Sequence, residues 1–467
     1  MRPRIFAAGC AALALLVLPT LAYYAARGVR YLTPDYNEGW NAFFAGRAMS
    51  GDGLYPGSGE FIFNNYPPLS FYIVGAVGRL LGDNIFAGRL VSAVAFIVVA
   101  VLLAVIVARL SRSAAAGAFA GLLFAVLFAQ FPGGRLGLDD PQLLGHAVMT
   151  GGLAIAWLAP ARFDRLLPAA ILMAIALLIK HNLVAAPLAA TVWMALQGRR
   201  PLLAWAGALA IAGALGAALL WSVWGTAPVL AMLTPRRVLL VRYLIEGRDW
   251  LRLLDVPIAV WIMLWAMRAW RPRFHAAGWY AAVSFAVFLL FVGGDGIGPN
   301  VAFDVLIAVA LCVGLALSAT GAEPIAAAAV ALLVVHAALT APLPLVKDSL
   351  RDGARALNAG EQATLRDIDY LKRRPEPALC EDIALCYWAG KPFFYDAFNM
   401  RQLFILGRRD EDDILRLLRE RRIGVVELSR PLPAREDDRF SVRFSQTLST
   451  YYHLDREGGG RWFFVPR

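Results

Sequence analysis

The sequence predicts an α-helical membrane protein of about eleven transmembrane helices, followed by a small C-terminal α/β domain. Of its 467 residues, 59% are hydrophobic and only 17% are charged, a composition too apolar for a soluble protein. Long apolar segments fill residues 1–344, and arginine-rich turns separate several of them. The composition then becomes charged and mixed. We therefore divide the chain into a transmembrane domain, residues 1–344, and a C-terminal domain, residues 345–467.

The charge distribution indicates a lipid bilayer as partner and excludes nucleic acid. The net charge of +11 comes from 45 Lys and Arg against 34 Asp and Glu. Many of the arginines stand at the ends of apolar segments, as the topology of a membrane protein and contact with anionic lipid require.

The first apolar segment, residues 5–25, follows Arg2 and Arg4 and is long enough to cross a membrane. It could be a signal peptide, but the many spans that follow favour an uncleaved helix with a cytoplasmic N-terminus. The first outer loop, residues 26–82, then lies outside the cytoplasm.

The end of this loop, residues 67–82, opens with two prolines and predicts an interfacial or partly re-entrant helix. A short true span there would invert the topology of everything downstream. Charge decides between them, because spans 86–108 and 114–130 are joined by Arg109 and Arg112, and a short basic loop belongs inside.

With that topology, the loop 131–141, the turn at 180–182 and the long arginine-rich outer loop 225–255 are all extracytoplasmic, and so is the C-terminal domain. The short helices that meet at the polar turn suggest a cavity reaching into the membrane. The remaining spans are predicted at 142–159, 166–179, 183–197, 202–224, 256–270, 276–292, 303–319 and 324–342.

In the C-terminal domain, residues 412–422 (DDILRLLRERR) predict an amphipathic helix and residues 423–429 (IGVVELS) a buried strand. Further strands are expected at 392–396, 440–444 and 461–466. The domain is therefore expected to be α/β.

Two of the four cysteines, Cys380 and Cys386, lie in this polar region, whereas Cys10 and Cys312 fall in apolar segments. In an extracytoplasmic domain Cys380 and Cys386 could pair. Zinc is the alternative, but a pair of cysteines with no histidine nearby is weak evidence for it. We expect a disulfide.

The most polar stretch of the transmembrane domain is residues 33–72, where Asp35 and Glu38 stand three residues apart. If a helix begins at Tyr36, both carboxylates lie at one helix end and face the same way. Acids, aromatics and turn residues together suggest a binding cleft. The alternative is a capped interfacial helix anchored by its aromatic side chains.

This stretch contains an acid pair, a glycine, an apolar helix, GDGLYP and YPPLSFY. The pattern resembles the first extracytoplasmic loop of GT-C superfamily glycosyltransferases, such as protein mannosyltransferases and the aminoarabinose transferases of lipid A. The resemblance covers roughly residues 5–310. It implies an inverting transferase in the bacterial cytoplasmic membrane. The enzyme would move a sugar from a polyprenyl-phosphate-linked donor to a lipid, glycan or protein acceptor at the outer face.

The resemblance also implies roles for the acids. Asp35 and Glu38 fall where the family carries its first-loop catalytic base, but Asn37 rather than Asp precedes Glu38, which leaves open which of the two acts. Asp139 and Asp140 fall where a second acidic motif positions acceptor or metal. Asp35 and Asp139 are therefore candidate ligands of Mg²⁺ or Mn²⁺, although such motifs can also act without metal. Asp140 before Pro141 is also a standard helix cap.

Four basic residues are candidates to bind the donor phosphate: Lys180, His181, Arg236 and Arg237. The plain alternatives are snorkelling at the interface for the first two and nonspecific headgroup contact for the arginines.

Candidates for substrate binding are Asn65, Tyr66, Asn300 and Asp304, because such side chains hydrogen-bond to sugar hydroxyls. The alternative for the glycine-rich segment 293–300 is a tight turn between spans.

Two other function classes remain open. A transporter or flippase of an amphiphilic substrate would use the acids as ion sites, but transporters place ionisable groups mid-membrane and carry inverted repeats, which are not visible here. A noncatalytic scaffold would act through its C-terminal domain, yet both acidic motifs are retained.

Overall fold

The computed structural model describes residues 2–57, 59–233, 241–267, 274–341, 349–432 and 439–467. Within these residues, a helix occupies most of each predicted span. The helices up to the predicted domain boundary are α1 (Arg2–Gly28), α2 (Asn37–Ser50), α3 (Leu69–Leu81), α4 (Asn84–Ser111), α5 (Ala114–Ala129), α6 (Pro141–Leu158), α7 (Phe163–Ile179), α8 (Ala185–Gln197), α9 (Arg199–Trp224), α10 (Ala227–Met232), α11 (Val241–Leu251), α12 (Asp255–Ala266), α13 (His275–Val292), α14 (Phe303–Ala319) and α15 (Glu323–Thr340).

Six of the described helices are long and apolar enough to cross a membrane, which supports the multi-pass architecture. The total of eleven spans stays a prediction. These six segments are Arg4–Gly28, Asn84–Ser111, Arg199–Trp224, His275–Val292, Pro299–Ala319 and Glu323–Thr340.

Local sequence signals account for several of the helix starts. The side chain of Asp83 accepts a hydrogen bond from the Phe86 amide and caps α4, and Ser113 caps α5 in the same way. The Asp140 side chain caps α6, and Pro141 occupies the first helical position. Side-chain oxygens satisfy amides that would otherwise lack partners at these helix ends.

The first outer loop folds into two helices rather than an extended connector. Helix α3 has 13 residues, too few to cross a bilayer, in line with the predicted interfacial helix at 67–82. Helix α2 packs against α3 and also against the C-terminal domain. The predicted outer loop 225–255 likewise contains α10, α11 and a short 3-10 turn.

Helix α14 lies at the centre of the bundle, and nearly all of its side chains are buried. Phe303 at its start packs edge-on against Phe128, with ring centroids 4.8 Å apart, and against Phe131. These aromatic contacts fix the end of α14 that lies nearest the candidate site.

The C-terminal domain is α/β, as predicted. Its four-stranded sheet has the order β1-β2-β4-β3, with β1 and β2 parallel and the other pairs antiparallel. The predicted boundary at 344/345 lies outside the described residues. The domain's elements are α16 (Ser349–Lys372), β1 (Ala378–Cys380), α17 (Ile383–Trp388), α18 (Ala397–Ile405), α19 (Asp412–Arg419), β2 (Val425–Leu428), α20 (Val442–Tyr451), β3 (Tyr452–Gly458) and β4 (Arg461–Pro466).

Two of the predicted strands are wrong. Residues 440–444 open helix α20, because the Ser441 hydroxyl accepts a hydrogen bond from the Phe444 amide and caps it. Residues 392–396 form no named strand, and Tyr395 makes a single parallel bridge to Phe61 of the first outer loop. The strands at 423–429 and 461–466 and the helix at 412–422 are confirmed.

A disulfide joins Cys380 at the end of β1 to Cys386 in α17, as expected. It ties the sheet to the helix that faces the transmembrane domain. A Cβ atom at Gly39 of α2 would lie 2.2 Å from the Ala384 backbone nitrogen, so α2 and α17 touch backbone to backbone. Only glycine permits that approach.

The buried carboxylate of Asp396, which caps α18, holds the two domains together. It accepts hydrogen bonds from the Tyr36 hydroxyl and the Trp40 indole nitrogen, both at 2.9 Å. A second contact between the domains is the ion pair of Arg30 with Glu361, at 2.9 Å. The C-terminal domain therefore sits directly on the first outer loop.

Candidate functional site

A cavity of about 470 Å³ lies where the first outer loop, the turn after α7, the turn before α14 and the C-terminal domain meet. Its wall is made by segments far apart in the chain. The polar residues that line it are Asp35, Asn37, Asn65, Arg135, Lys180, His181, Asn182, Asp295, Asn300, Asn399, Gln402 and Arg439.

Asp35 lines this cavity and is held in a fixed orientation. Its Oδ2 atom lies 2.7 Å from Arg135 Nη1, and its Oδ1 accepts hydrogen bonds from the backbone and side-chain nitrogens of Asn37. About 18% of the side chain remains exposed. A carboxylate so placed can meet a ligand in the cavity.

Glu38, in contrast, is completely buried and does not line the cavity. Both of its oxygens accept hydrogen bonds from the Arg89 guanidinium, at 2.7 and 2.8 Å, and Oε1 also accepts from the Asp139 amide. Arg89 is itself only 2% exposed and donates further to backbone carbonyls, including that of Arg30. Glu38 is thus fully engaged in a buried ion pair.

The expectation that Asp35 and Glu38 face the same way is therefore wrong. Helix α2 begins at Asn37 with Tyr36 as its cap, so Asp35 precedes the helix and the helical spacing rule does not reach it.

The second acidic motif, Asp139 and Asp140, does not line the cavity. Asp139 is 2% exposed, and its Oδ2 atom has no hydrogen-bond partner within the described part of the chain. Burial, and to a lesser extent the neighbouring Glu38, raise the pKa of Asp139 well above its usual range. A Cβ atom at Gly88 would overlap this carboxyl group, so the acid fits only because residue 88 is glycine.

Asp140 has the predicted capping role and a second contact. Its Oδ1 accepts from the Gln142 amide at 2.9 Å, and its Oδ2 accepts from Asn300 Nδ2 at 3.0 Å. Asp140 therefore positions a residue of the cavity wall without lining the cavity itself.

The predicted metal ligands Asp35 and Asp139 do not share the cavity, because Asp139 is packed behind its wall. No cluster of three or more His, Cys, Asp or Glu side chains suited to a metal ion occurs among the residues described. The two carboxylates do not fit a joint metal site, and a divalent-cation requirement stays a prediction.

Lys180 and His181 both line the cavity at the turn after α7. The Lys180 ammonium lies 3.3 Å from the centre of the Tyr66 ring, and 4% of the residue is exposed. Burial lowers the pKa of Lys180 to about 8, although Asp140 and Asp35 oppose that shift. This lysine is a desolvated cation that an anion in the cavity would stabilise.

The remaining predicted residues divide between cavity and core. Asn65, Tyr66 and Asn300 line the cavity. Asp304 does not: it is buried at the start of α14, accepts a hydrogen bond from the Tyr280 hydroxyl at 2.5 Å and lies 3.8 Å from His146. Asp304 thus has buried partners and does not line the cavity, and its role in substrate binding stays a prediction. Arg236 and Arg237 lie outside the described residues.

Sequence reasoning missed Arg135 and the whole contribution of the C-terminal domain. Arg135 stands in a glycine-rich loop shortly before the acidic pair, which could have singled it out. Arg439 packs over the Tyr36 ring at 4.4 Å and donates a hydrogen bond to Glu381. Nothing in the local sequence indicates that Gln402 and Arg439 line the same cavity as Asp35.

The cavity thus combines a carboxylate, several cations and a set of amide side chains. A carboxylate can accept a proton from a hydroxyl nucleophile, and cations can stabilise a phosphate as its charge grows. Amides hydrogen-bond to hydroxyl groups.

Similarity to known proteins was found with one family model and with solved structures. Residues 65–224 match the family model described as dolichyl-phosphate-mannose-protein mannosyltransferase. No curated protein matches the chain. The fold is similar to two crystal structures of ArnT from Cupriavidus metallidurans.

One of these structures is in the apo state, with a TM-score of 0.65 and 16% identity; the other is bound to undecaprenyl phosphate, with a TM-score of 0.64 and 17% identity. Each alignment covers 97% of this chain and 97% of the other. This chain is similar in fold to ArnT over nearly its whole length, and its residues 65–224 match the mannosyltransferase family model. The resemblance to membrane glycosyltransferases of the GT-C superfamily, expected from the first outer loop, is therefore confirmed.

Proposed function

We propose that this protein is an integral membrane, inverting glycosyltransferase. It transfers a sugar from a polyprenyl-phosphate-linked donor to a hydroxyl group of a lipid, glycan or protein acceptor at the outer face of the bacterial cytoplasmic membrane. The observation that carries the proposal is one cavity lined by both the Asp35 carboxylate and the buried Lys180 ammonium. The family match and the shared fold support the same class of reaction.

Asp35 is the general base in this proposal. Of the two acids, Asp35 lines the cavity, whereas Glu38 is held in a buried ion pair with Arg89. Asp35 accepts the proton of the acceptor hydroxyl as that oxygen bonds to the anomeric carbon. The bond from that carbon to the phosphate oxygen breaks on the opposite side, and its electron pair leaves with the polyprenyl phosphate.

The cations of the cavity hold the phosphate. Lys180 is desolvated, and no hydrogen bond or ion pair to its ammonium is found among residues 2–57, 59–233 and the later described ranges. An arriving phosphate supplies a counter-charge in direct contact with the ammonium. Arg135 is bound to Asp35 at rest and lines the same space, so it can turn towards the phosphate and release the base.

Turnover of lipid-linked sugars in proteoliposomes tests the proposal. We expect Asp35→Asn to lower transfer by at least about a hundredfold while polyprenyl phosphate still binds, since a general base typically contributes on that scale. Lys180→Ala should instead weaken polyprenyl phosphate binding. Asp52→Asn, at an exposed position of the same loop, is the matched control.

Two results would overturn the proposal. One is full transfer by Asp35→Asn, which would remove the proposed base. The other is a wild-type protein that consumes no donor from a broad panel yet moves a lipid or solute across the bilayer, which would make it the transporter considered above.

A further inference from the structure

We infer that the face of the cavity supplied by the C-terminal domain is a subsite for the hydroxyl groups of a sugar ring, and that Gln402 is its specificity-determining residue. The inference rests on the proposed function, which requires a sugar in this cavity but does not say what recognises it.

In the Gln402 side chain, the amide nitrogen has a hydrogen-bond partner and the amide oxygen has none within the described ranges. The residue is 4% exposed and lines the cavity. Its Nε2 donates a hydrogen bond to Asp295 Oδ2 at 3.1 Å. Its Oε1 is buried and has no hydrogen-bond partner within the described ranges. Buried amide oxygens rarely stay unpaired in native proteins, so a ligand is the natural partner.

The neighbouring carboxylate fixes which way the amide points. A carboxylate can only accept hydrogen bonds, so the nitrogen of Gln402 must face Asp295 and the oxygen must face away from it. That oxygen can accept only from a donor such as a hydroxyl or an amine. A phosphate oxygen would not suit it, which assigns this face to the sugar and not to the leaving group.

The surroundings of Gln402 also suit a sugar. Asn399 and Asn65 line the same cavity, with Asn65 Nδ2 at 3.5 Å from Asn399 Oδ1, a long contact that a ligand hydroxyl could replace. The aromatic side chains of Trp40 and Phe398 line the same cavity. Amides for hydroxyl groups and aromatic faces for the apolar side of the ring are what a sugar requires.

Gly296 permits a close approach between the turn before α14 and helix α18 of the C-terminal domain. Gly296 has a φ of +69°, and a Cβ atom there would lie 2.1 Å from Phe398 Cζ. The turn before α14 is therefore pressed against α18, which brings Asp295 to Gln402. The subsite forms only where these two segments meet.

Binding measurements on the full-length protein test the inference with two probes, polyprenyl phosphate and the same lipid carrying the sugar. We expect Gln402→Met, which keeps the size of the side chain and removes its polar atoms, to bind polyprenyl phosphate like the wild type. The same variant should bind the sugar-bearing donor roughly tenfold more weakly, as loss of one buried hydrogen bond would cause. Gln446→Met, at an exposed position on α20, is the control.

Acceptor titrations form a second arm, because an acceptor sugar has the same hydroxyl chemistry. A donor affinity that falls assigns the subsite to the donor, and an acceptor KM that rises with donor affinity unchanged assigns it to the acceptor. Gln402→Asn, which keeps an amide at shorter reach, serves if Gln402→Met fails to fold.

Several outcomes would overturn the inference. Unchanged donor affinity and unchanged acceptor KM would do so while leaving the proposed function intact. An equal loss for polyprenyl phosphate and for the sugar-bearing donor would show that Gln402 only supports the fold. A wild-type protein that binds neither probe would overturn the proposed function and this inference together.

Discussion

Substitution of Glu38 tests whether this acid stabilises the fold, while Asp35 acts as the base. Substitution Glu38→Gln removes the negative charge that faces Arg89, whose side chain is 2% exposed. The guanidinium would then keep only neutral acceptors in a buried site. Breaking a buried ion pair from one side costs about 3–5 kcal/mol of the free energy of unfolding. We expect the detergent-solubilised variant to unfold several degrees below the wild type.

The assay is thermal unfolding of purified protein, followed by transfer activity below the unfolding temperature of each variant. Glu60→Gln is the matched control, because Glu60 pairs with Arg47 and is 43% exposed. A pair that exposed should contribute less than about 1 kcal/mol. The double substitution Glu38→Gln with Arg89→Met should recover part of the lost stability, since it removes the unpaired cation.

The reasoning about Glu38 would be refuted by a Glu38→Gln protein that unfolds at the wild-type temperature. It would be refuted more directly if that protein also bound donor normally and transferred no sugar. Glu38 would then be the base, and the ion pair with Arg89 would have to open during the reaction.

Three further predictions concern the phosphate site and the domain interface. Because the pKa of Lys180 is lowered to about 8, its charge is lost as pH rises through that value, and polyprenyl phosphate affinity should fall over the same range. In Lys180→Arg the affinity should stay high there, because arginine keeps its charge. Gly39→Ala would drive a methyl group into the Ala384 backbone, so it should lower both thermal stability and transfer; Gly28→Ala, with open space around it, should change neither. Cys386→Ser should cost about 2 kcal/mol, judged from the short loop that the disulfide closes, and thermal unfolding of the wild type with reductant should reproduce the loss.

Much of the fold could be predicted because membrane helices carry strong local signals. Apolar length marks each span, and capping residues such as Asp83 and Asp140 mark where helices start. The disulfide followed from compartment and spacing. The strand expected at 440–444 is wrong because Ser441 caps a helix there, and the signal of a single capping residue is local and easily overlooked.

The candidate site was predictable only in part. Asp35, Lys180 and His181 were found because polar turns between spans are conspicuous. Burial could not be foreseen, so catalytic or binding roles were predicted for Glu38, Asp139 and Asp304, which do not line the cavity. Two of them have buried partners instead: Glu38 pairs with Arg89, and Asp304 accepts a hydrogen bond from Tyr280. The sequence pattern is the same for both roles, because an acid near a turn can face either way.

The contacts that join α2 to the C-terminal domain also bear on when the protein becomes active during its synthesis. Asp35 is synthesised long before Gln402 and Arg439, which line the same cavity. Asp396 must fold onto Tyr36 and Trp40 before the cavity has its last wall. A nascent chain that has not yet reached Arg439 therefore has the helices and the base but lacks the finished pocket, and it should not consume donor.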